Sequence, residues 1–518
     1  MEAPRISIPE AYNAAADFVD RHVAEGRADK VALICGDRRL TFRQVQEMTN
    51  RAGNALLQLG VEMEQRVLIL CLDCPEWVAA FWGAMKIGAV PVPVNTMMRA
   101  ADYAYFLNDS RARVLVVSDV LWPEVEKVRE ELKFLRHIVI VGQPTAGPIP
   151  FDEWVAKASP ELEPARTSRD DAAFWLYSSG STGFPKGTVH LHHDIVYTTD
   201  LYARPTLGII ERDVTFSAAK LFFAYGLGNN LTFPFRVGAA AVLYPGRPLP
   251  DAMFETIHTY RPTIFYGVPT LYAAMLQVPD AERRWDLSSL RLCVSAGEAL
   301  PAELLKRWKD RFGRDILDGI GSTEVLHIFI SNRQGDIKPG SSGKIVPGYE
   351  ARLVDEAGKD VPLGEVGNLL IRGDSTAACY WNKHERTKQT MLGEWIVTGD
   401  KYTQDAGGYF YYCGRSDDML KVGGIWVSPF EVESTLIGHP AVLEAAVVGV
   451  EDTDKLVKPK AYVVLKSGHA PSPELEADLK NFVKDKIAPY KYPRWIDFVP
   501  ELPKTATGKI QRFKLRGR

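Results

Sequence analysis

The chain has 518 residues, of which 46% are hydrophobic and 25% charged, as in an ordinary globular protein. Its formal net charge of −3 shows no basic excess that would favour nucleic acid as a partner. The first residues lack a secretion-signal pattern, and the richest apolar stretch falls short of the ~18 residues of a membrane span. We therefore expect a cytoplasmic protein without membrane contact, and the length predicts two or more domains.

The N-terminal part alternates short apolar runs with amphipathic stretches. Residues 67–72, 89–94 and 113–118 are predicted strands, and residues 76–87 and 123–132 are predicted helices. Further strands are predicted at 137–141, 242–243, 263–266 and 292–295. This alternation predicts an α/β fold with mainly parallel sheets.

The pattern changes after about residue 340, where glycine and proline turns become dense. Short strands between tight turns predict an antiparallel or barrel-like β layer. A compact α+β unit then follows, with predicted helices at 429–437 and 473–486 and predicted strands at 443–450 and 460–465. The boundary between the two units is expected within residues 414–418.

The six cysteines do not suggest a disulfide framework. Cys71 and Cys74 form one CxxC pair at the end of an apolar run, and no second pair follows. A zinc site needs four ligands, so we expect buried thiols here.

A glycine-rich loop, YSSGSTGFPKG, occupies residues 177–187. Its glycines and hydroxyls can present N–H and O–H groups to an anion, and Lys186 adds a cation. Gly187 follows the lysine where a Walker loop needs Ser or Thr, and the glycine spacing does not fit GxGxxG. From these residues alone, a phosphate-binding loop and an ordinary surface loop both remain open.

The loop resembles the signature loop of the adenylate-forming superfamily, which includes acyl-CoA synthetases, luciferases and peptide-synthetase adenylation domains. Four further segments resemble motifs of that superfamily in the same order: GSTE at 321–324, TGD at 398–400, GRSDDMLKVGG at 414–424 and PKTATGKIQR at 503–512. The resemblance implies a large N-terminal domain, residues 1–416, and a small mobile C-terminal α+β domain, residues 417–518.

The resemblance also implies a reaction in two steps. A carboxylic acid attacks the α-phosphorus of ATP and releases pyrophosphate, and the thiol of CoA then takes the acyl group and releases AMP. The residues that match the ATP or AMP site are Ser178, Ser179, Gly180, Ser181, Thr182, Gly183, Ser295, Ala296, Gly297, Glu298, Asp318, Gly319, Asp400 and Arg415.

Four residues match catalytic positions of the superfamily: Lys186, Thr323, Glu324 and Lys509. Glu324 is the expected ligand of Mg²⁺, which prefers oxygen donors. Taken alone, Glu324 could equally be an acid at a helix N-terminus, and Asp400 a turn residue.

The C-terminal motifs imply roles in switching between the two steps. By resemblance, Lys509 bridges the carboxylate and the α-phosphate in the first step only, whereas its basic surroundings alone would suit a solvated tail. Asp417 matches the hinge, and Gly423 and Gly424 match a passage for CoA, although an ordinary glycine turn is the alternative. A further hypothesis is that acetylation of Lys509 stops adenylation.

The acid pocket is expected along residues 219–230 and after Glu324. Residues 217–230 contain no carboxylate to pair with an amino-acid ammonium group. Aromatic and small side chains there suit a flat apolar ring. This stretch and the residues after Glu324 resemble benzoate-CoA ligases and, nearly as closely, 4-hydroxybenzoate ligases. The implied pocket residues are Ala224, Tyr225, Gly321, His327 and Ile328.

Several alternatives stay open at this point. His327 could be a hydrogen-bonded core histidine rather than a pocket residue. The cluster HLHHD at 190–194 is not expected to bind metal, because His192 matches a superfamily histidine behind the acid pocket and Mg²⁺ does not favour imidazole.

The expected partners are an aromatic carboxylic acid, ATP and CoA. A homodimer is one option for the oligomeric state. A carrier-protein-loading enzyme and a non-catalytic nucleotide-binding protein are the alternative functions.

Overall fold

A computed structural model describes residues 3–178, 185–416, 418–422, 425–452, 456–504 and 510–516. Within these ranges no helix is both long and apolar enough to cross a membrane. The strands, numbered in chain order, are β1 Val31–Cys35, β2 Arg38–Thr41, β3 Arg66–Leu70, β4 Val90–Pro93, β5 Val114–Ser118, β6 His137–Val141, β7 Ile149–Pro150, β8 Ala172–Ser178, β9 Lys186–Leu191, β10 Val214–Ser217, β11 Ala240–Val242, β12 Ile264–Gly267, β13 Leu292–Ser295, β14 Ile316–Gly321, β15 Ile328–Ser331, β16 Lys344–Ile345, β17 Glu350–Val354, β18 Gly367–Arg372, β19 Cys379–Tyr380, β20 Met391–Leu392, β21 Trp395–Gln404, β22 Phe410–Arg415, β23 Leu420–Val422, β24 Ile425–Val427, β25 Val442–Glu451, β26 Val457–Leu465 and β27 Trp495–Phe498.

The α-helices are interleaved with these strands. In chain order they are α1 Arg21–Ala24, α2 Phe42–Gln58, α3 Pro75–Lys86, α4 Ala100–Ser110, α5 Trp122–Glu126, α6 Phe151–Ala156, α7 Asp194–Thr198, α8 Ala224–Leu227, α9 Phe233–Val237, α10 Pro250–Tyr260, α11 Pro269–Met275, α12 Ala281–Arg284, α13 Ala302–Phe312, α14 His384–Thr390, α15 Pro429–Ile437 and α16 Pro473–Lys486. Short π-helical turns occur at Ala16–Asp20, Thr199–Ala203 and Gly228–Thr232, and 3₁₀ turns occur at Arg129–Glu131, Pro489–Lys491 and Arg512–Lys514.

Two large sheets build the N-terminal part. One has the strand order β4-β3-β5-β6-β7 and is parallel throughout. The other has the order β16-β15-β14-β13-β12-β10-β11-β1-β2, with a parallel centre and antiparallel edges. This arrangement confirms the predicted α/β class with mainly parallel sheets.

Helix α3 lies at the centre of the largest hydrophobic core. All its residues are buried, including Trp77 and Trp82. It packs against α2, and a Cβ added at Gly83 would lie 2.8 Å from the backbone of Gly53 and of Thr49. The close crossing of the two helices therefore requires glycine at position 83.

The segment after residue 340 forms an antiparallel sheet with the order β17-β18-β21-β20, and β22 also pairs with β21. The predicted antiparallel β layer is thus confirmed. A smaller sheet, β25-β26-β27, packs with α15 and α16 to form the C-terminal α+β unit.

The helix predicted at 123–132 is wrong in extent. The structure has α5 at Trp122–Glu126 and then a separate 3₁₀ turn at Arg129–Glu131. Glu130 and Glu131 would place negative charge at the C-terminal end of a longer helix, where the helix dipole disfavours it. The cysteines in the described ranges form no disulfide, and both Cys71 and Cys74 are largely shielded from solvent.

Candidate active site

The residues predicted to bind phosphate lie at and between the paired strands β8 and β9. Ser178 ends β8 and pairs in register with Lys186, which begins β9. The loop residues predicted to bind phosphate, Ser179, Gly180, Ser181, Thr182 and Gly183, lie outside the described residues. Ser178 and Lys186 therefore fix the two ends of the loop, at the edge of a three-stranded sheet.

Glu324 lies in the turn between β14 and β15, opposite this hairpin. Its Oε1 atom accepts one hydrogen bond from Ser178 Oγ at 3.0 Å and another from Tyr380 Oη at 2.6 Å. The turn does not begin a helix, so the helix-terminus interpretation of Glu324 is wrong. The two hydroxyls that donate to one oxygen fix the orientation of this carboxylate.

Lys186 and Tyr380 also lie in contact. The ammonium nitrogen of Lys186 is 4.3 Å from the centroid of the Tyr380 ring, which is 3% exposed. Burial lowers the pKa of Lys186 from its usual value, and the nearby carboxylate of Glu324 opposes that shift. The sequence reasoning missed Tyr380, because nothing in its local sequence indicates a partner 56 residues away.

A buried histidine supports the turn that carries Thr323 and Glu324. His190 lies 2.8 Å from the carbonyl of Thr323 through Nε2 and 2.7 Å from Asp194 through Nδ1. His192 instead accepts a hydrogen bond from the backbone N–H of Ala14 at 3.1 Å. The histidine beneath this turn is thus His190, and the position of His192 behind the acid pocket stays a prediction.

The HLHHD cluster at 190–194 lies beside the turn that carries Thr323 and Glu324. Within the described part of the chain, no group of three or more His, Cys, Asp or Glu side chains is arranged to hold a metal ion. The imidazoles and the carboxylate of the cluster instead bond to one another and to the backbone.

The residues predicted to bind the ribose lie on two strands of the antiparallel sheet. Asp400 on β21 pairs in register with Arg415 on β22, and Arg415 Nη1 donates to Asp400 Oδ1 at 3.0 Å and to the Thr398 carbonyl at 3.0 Å. Gly399 has φ +75°, and a Cβ there would lie 2.7 Å from Arg415 Nη2. The TGD motif therefore needs its glycine so that the guanidinium can lie against Asp400.

The residues predicted to line the adenine lie in and beside the loop after β13. Ser295 ends this strand beside Asp318 of β14, and Ala296, Gly297 and Glu298 follow. Asp318 Oδ2 accepts from the backbone N–H of Leu300 at 3.3 Å. Burial raises the pKa of Asp318 well above its usual value.

Gly319 follows Asp318 on β14 and faces β15. A Cβ there would lie 2.9 Å from the Ile330 carbonyl oxygen and from Ile328 Cγ2. The two strands can pack this closely because position 319 carries no side chain.

The predicted acid pocket residues converge from two regions. Ala224 and Tyr225 begin α8, while Gly321 at the end of β14 pairs in register with Ile328 of β15. His327, just before Ile328, packs its ring 5.6 Å from that of Tyr225. The structure thus brings together Tyr225, Gly321, His327 and Ile328, and Ala224 precedes Tyr225 in the chain.

His327 is also built into the interior. Its Nε2 lies 3.1 Å from Asn229 Oδ1 and 3.3 Å from the Tyr225 carbonyl, and burial lowers the pKa of His327 to about 3. The ring is therefore neutral at physiological pH. The core-histidine interpretation and the pocket interpretation are both compatible with this geometry, so the contact with substrate stays a prediction.

The segment that joins the two predicted domains is held firmly on both sides. Ser416 N–H donates to the Gly399 carbonyl at 3.0 Å, whereas Asp418 is ion-paired with Arg512 at 3.8 Å and also with Arg516. The predicted hinge residue Asp417, the glycines Gly423 and Gly424, and Lys509 lie outside the described residues.

Comparison with known proteins identifies one enzyme family along most of the chain. Residues 20–381 match the family described as AMP-binding enzyme, and residues 431–509 match its C-terminal domain. A benzoate--CoA ligase of Thauera aromatica is 55% identical over 99% of this chain and 97% of its own length.

Two solved structures share the whole fold. The anthranilate CoA ligase AuaEII, solved with anthranoyl-AMP, superposes with a TM-score of 0.96 at 52% identity, covering 98% of each chain. A benzoate CoA ligase from Burkholderia xenovorans LB400 gives a TM-score of 0.91 at 52% identity, covering 98% of this chain and 100% of that one.

Proposed function

Because this chain belongs to the AMP-binding enzyme family, we propose that it is an AMP-forming benzoate–CoA ligase. The observation that carries the proposal is the path of β14 and the turn after it. Within seven residues this segment runs from Asp318 on the adenine side, through Gly321 in the acid pocket, to Glu324 beside the phosphate hairpin. One rigid segment can therefore hold the acid and the nucleotide next to each other.

In the first step, a carboxylate oxygen of benzoate attacks the α-phosphorus of ATP. The bond from this phosphorus to the bridging oxygen breaks, pyrophosphate leaves, and benzoyl-AMP remains. In the second step, the sulfur of CoA attacks the acyl carbon, the thiol loses its proton, and AMP leaves with the electron pair of the broken C–O bond. Activation is needed because a free carboxylate is a poor electrophile.

Negative charge on the phosphates dominates the first step, so the protein contributes mainly positioning and electrostatic stabilisation. Lys186 supplies a cation at the base of the phosphate loop, and Ser178 orients Glu324. Glu324 is proposed to hold Mg²⁺, which when bound neutralises phosphate charge. The donor set fits, because magnesium is commonly held by one carboxylate and phosphate oxygens.

The acid pocket supports an aromatic substrate. Tyr225 donates a hydrogen bond to the Gly267 carbonyl at 3.2 Å, which fixes its ring at the pocket. His327 is neutral there and offers no charge to a second carboxylate or an ammonium group. A flat, uncharged ring such as that of benzoate is therefore the best match to these walls.

The domain boundary is proposed at residues 416 and 417. The hydrogen bond from Ser416 to Gly399 supports it on the N-terminal side, and the ion pairs of Asp418 with Arg512 and Arg516 support it on the other. Rotation at Asp417 would move the C-terminal unit as one body and exchange the groups around the adenylate. Asp417→Pro should then spare adenylation and reduce thioester formation, and equal loss of both would contradict the hinge.

Acid-dependent ATP–pyrophosphate exchange, followed by CoA-dependent release of AMP, tests the function. The panel contains benzoate, hydroxy-, amino- and fluorobenzoates, cyclohexanecarboxylate and short fatty acids. We expect the highest kcat/KM for benzoate. A higher kcat/KM for 4-hydroxybenzoate would favour the alternative ligase. Exchange without CoA-dependent release of AMP would favour a carrier-protein-loading enzyme. No exchange with any acid would refute an enzymatic role.

The role of Lys509 is tested separately from substrate preference. Lys509→Ala should abolish adenylation but still convert preformed benzoyl-AMP and CoA to the thioester, and equal loss of both would contradict the proposal. Deacetylase treatment of enzyme isolated from cells tests whether acetylation of Lys509 controls activity. Cytoplasmic location and a homodimer stay predictions for fractionation and sedimentation measurements.

A further inference from the structure

A hydrogen bond joins the C-terminal tail to the adenine-side loop. The backbone N–H of Ile510 donates to Glu298 Oε1 at 3.0 Å, across 212 positions of sequence. Ile510 directly follows Lys509, the residue proposed to act in adenylation. The contact therefore connects the two proposed domains beside the proposed reaction centre.

Glu298 is presented by a loop that is fixed at both ends. Gly297 before it has φ +93°, a left-handed conformation that glycine adopts without strain. The N–H of Leu300 after it bonds to the buried carboxyl of Asp318, and α13 begins at Ala302. The carboxylate of Glu298 thus has a defined position relative to the N-terminal sheet.

The tail is equally well anchored within the C-terminal unit. Ile510 forms a β-bridge with Lys504, and Gln511 N–H donates to the Pro503 carbonyl at 2.8 Å. Arg512 then binds the buried carboxylate of Glu433 through two contacts of 3.0 and 2.7 Å. Since both partners are anchored, the bond between Glu298 and Ile510 depends on how the two units are oriented.

Charged side chains of the two units also interact. Lys466 of the C-terminal unit interacts electrostatically with Arg307 and Glu303 of α13, the helix that follows the Glu298 loop. The charges of Lys466, Arg307 and Glu303 are exposed or half-exposed and of both signs. They therefore add little net preference for one orientation of the two units. Of these two contacts between the units, the hydrogen bond from Ile510 to Glu298 is the one that requires a specific direction.

We infer that Glu298 is a positioning residue for the first half-reaction, because its carboxylate holds the tail that carries Lys509 against the nucleotide site. The inference rests on the proposed function and adds to it a residue that favours one orientation of the domains. Rotation about Asp417 for thioester formation would separate Ile510 from Glu298, so the bond can assist adenylation but not the second step.

This role differs from simple contact with adenine, which the superfamily resemblance assigns to the same loop. The adenine ring is present in ATP and also in the acyl adenylate. Loss of an adenine contact would therefore impair both half-reactions, whereas loss of the bond to Ile510 impairs only adenylation. The ratio of the two half-reactions separates these roles.

The test uses the full chain with Glu298→Ala, Glu298→Gln and, as a control, Glu365→Ala, which removes the same charge from an exposed loop. Adenylation is followed by benzoate-dependent ATP–pyrophosphate exchange. Thioester formation is followed with synthetic benzoyl-AMP and CoA. Hydrogen exchange of a peptide that begins several residues before Ile510 and ends at residue 516 reports protection of the Ile510 amide without any turnover.

We expect Glu298→Ala to lower the rate of exchange about tenfold, which corresponds to about 1.4 kcal/mol, with no loss in thioester formation and faster hydrogen exchange at Ile510. Glu298→Gln should recover most of the activity, because its amide oxygen can accept the same N–H. Equal loss in both half-reactions, unchanged adenylation or unchanged protection at Ile510 would overturn the inference. If the wild type catalyses neither half-reaction, the proposed function fails, while hydrogen exchange still decides whether Glu298 holds the tail.

Discussion

Removal of the Tyr380 hydroxyl is the most direct test of the proposed metal and phosphate site. Its Oη donates to Glu324 Oε1 at 2.6 Å, while the aromatic ring lies under the ammonium group of Lys186 at 4.3 Å. Tyr380→Phe removes the first interaction and keeps the second. The variant therefore isolates the orientation of Glu324 from the environment of Lys186.

The magnitude follows from the chemistry of the bond. A hydrogen bond to a charged group contributes about 1.5–3 kcal/mol net. Because Ser178 Oγ still donates to the same oxygen at 3.0 Å, the lower end applies. We expect acid-dependent ATP–pyrophosphate exchange to fall about tenfold, with a higher magnesium concentration needed for half-maximal rate.

Tyr411→Phe is the matched control, since its hydroxyl donates to Asp405 at 2.9 Å in a turn away from the proposed site. That variant should exchange at the wild-type rate. Tyr380→Leu, which also removes the ring, should fall further, because a cation–π contact adds about 0.5–2 kcal/mol. Wild-type magnesium dependence in Tyr380→Phe, or an equal loss in Tyr411→Phe, would refute the reasoning.

Three further predictions concern stability and pocket shape. Arg512→Met leaves the carboxylate of Glu433, which is 3% exposed, without its cation. The free energy of unfolding of the C-terminal unit in denaturant should therefore fall by about 3–5 kcal/mol. An unchanged unfolding midpoint would contradict this. Burial lowers the pKa of His22 to about 4, so the unfolded state binds more protons between that value and about pH 6.5. The free energy of unfolding should therefore fall on acidification, by about 2 kcal/mol at about pH 5 for this residue, and His22→Gln should flatten that part of the profile. A Cβ at Gly228 would lie 2.6 Å from His327 Nε2, so Gly228→Ala should cost about 1–3 kcal/mol in thermal unfolding and raise the KM for the acid.

The elements that were predicted best are those with local signals. Helices α15 and α16 have the predicted bounds because each begins with a serine cap followed by proline: Ser428 accepts from Glu431 N–H, and Ser472 accepts from Leu475 N–H. Strand β13 likewise matches its apolar run. In such cases the sequence alone contains the chemistry that sets the boundary.

The candidate site was predictable only where a motif marks it. Glu324, Asp400 and Arg415 stand in recognisable motifs, but Tyr380, which donates to Glu324, reaches it only through the tertiary fold. The contact between Glu298 and Ile510 joins positions 212 residues apart and has no local signature at all. Such pairings depend on how layers pack, which periodicity and composition do not encode.

The register between Gly321 and Ile328 limits how this protein can acquire new substrates. A Cβ at Gly321 would meet the His327 carbonyl oxygen at 2.6 Å and the Ile328 nitrogen at 2.9 Å, and these backbone atoms cannot move without breaking the pairing of β14 with β15. Substitutions that change the preferred acid are therefore expected at positions other than 321. A library for directed evolution should keep that glycine and vary Ala224, Tyr225 and Ile328, where a change alters a side chain rather than the main chain.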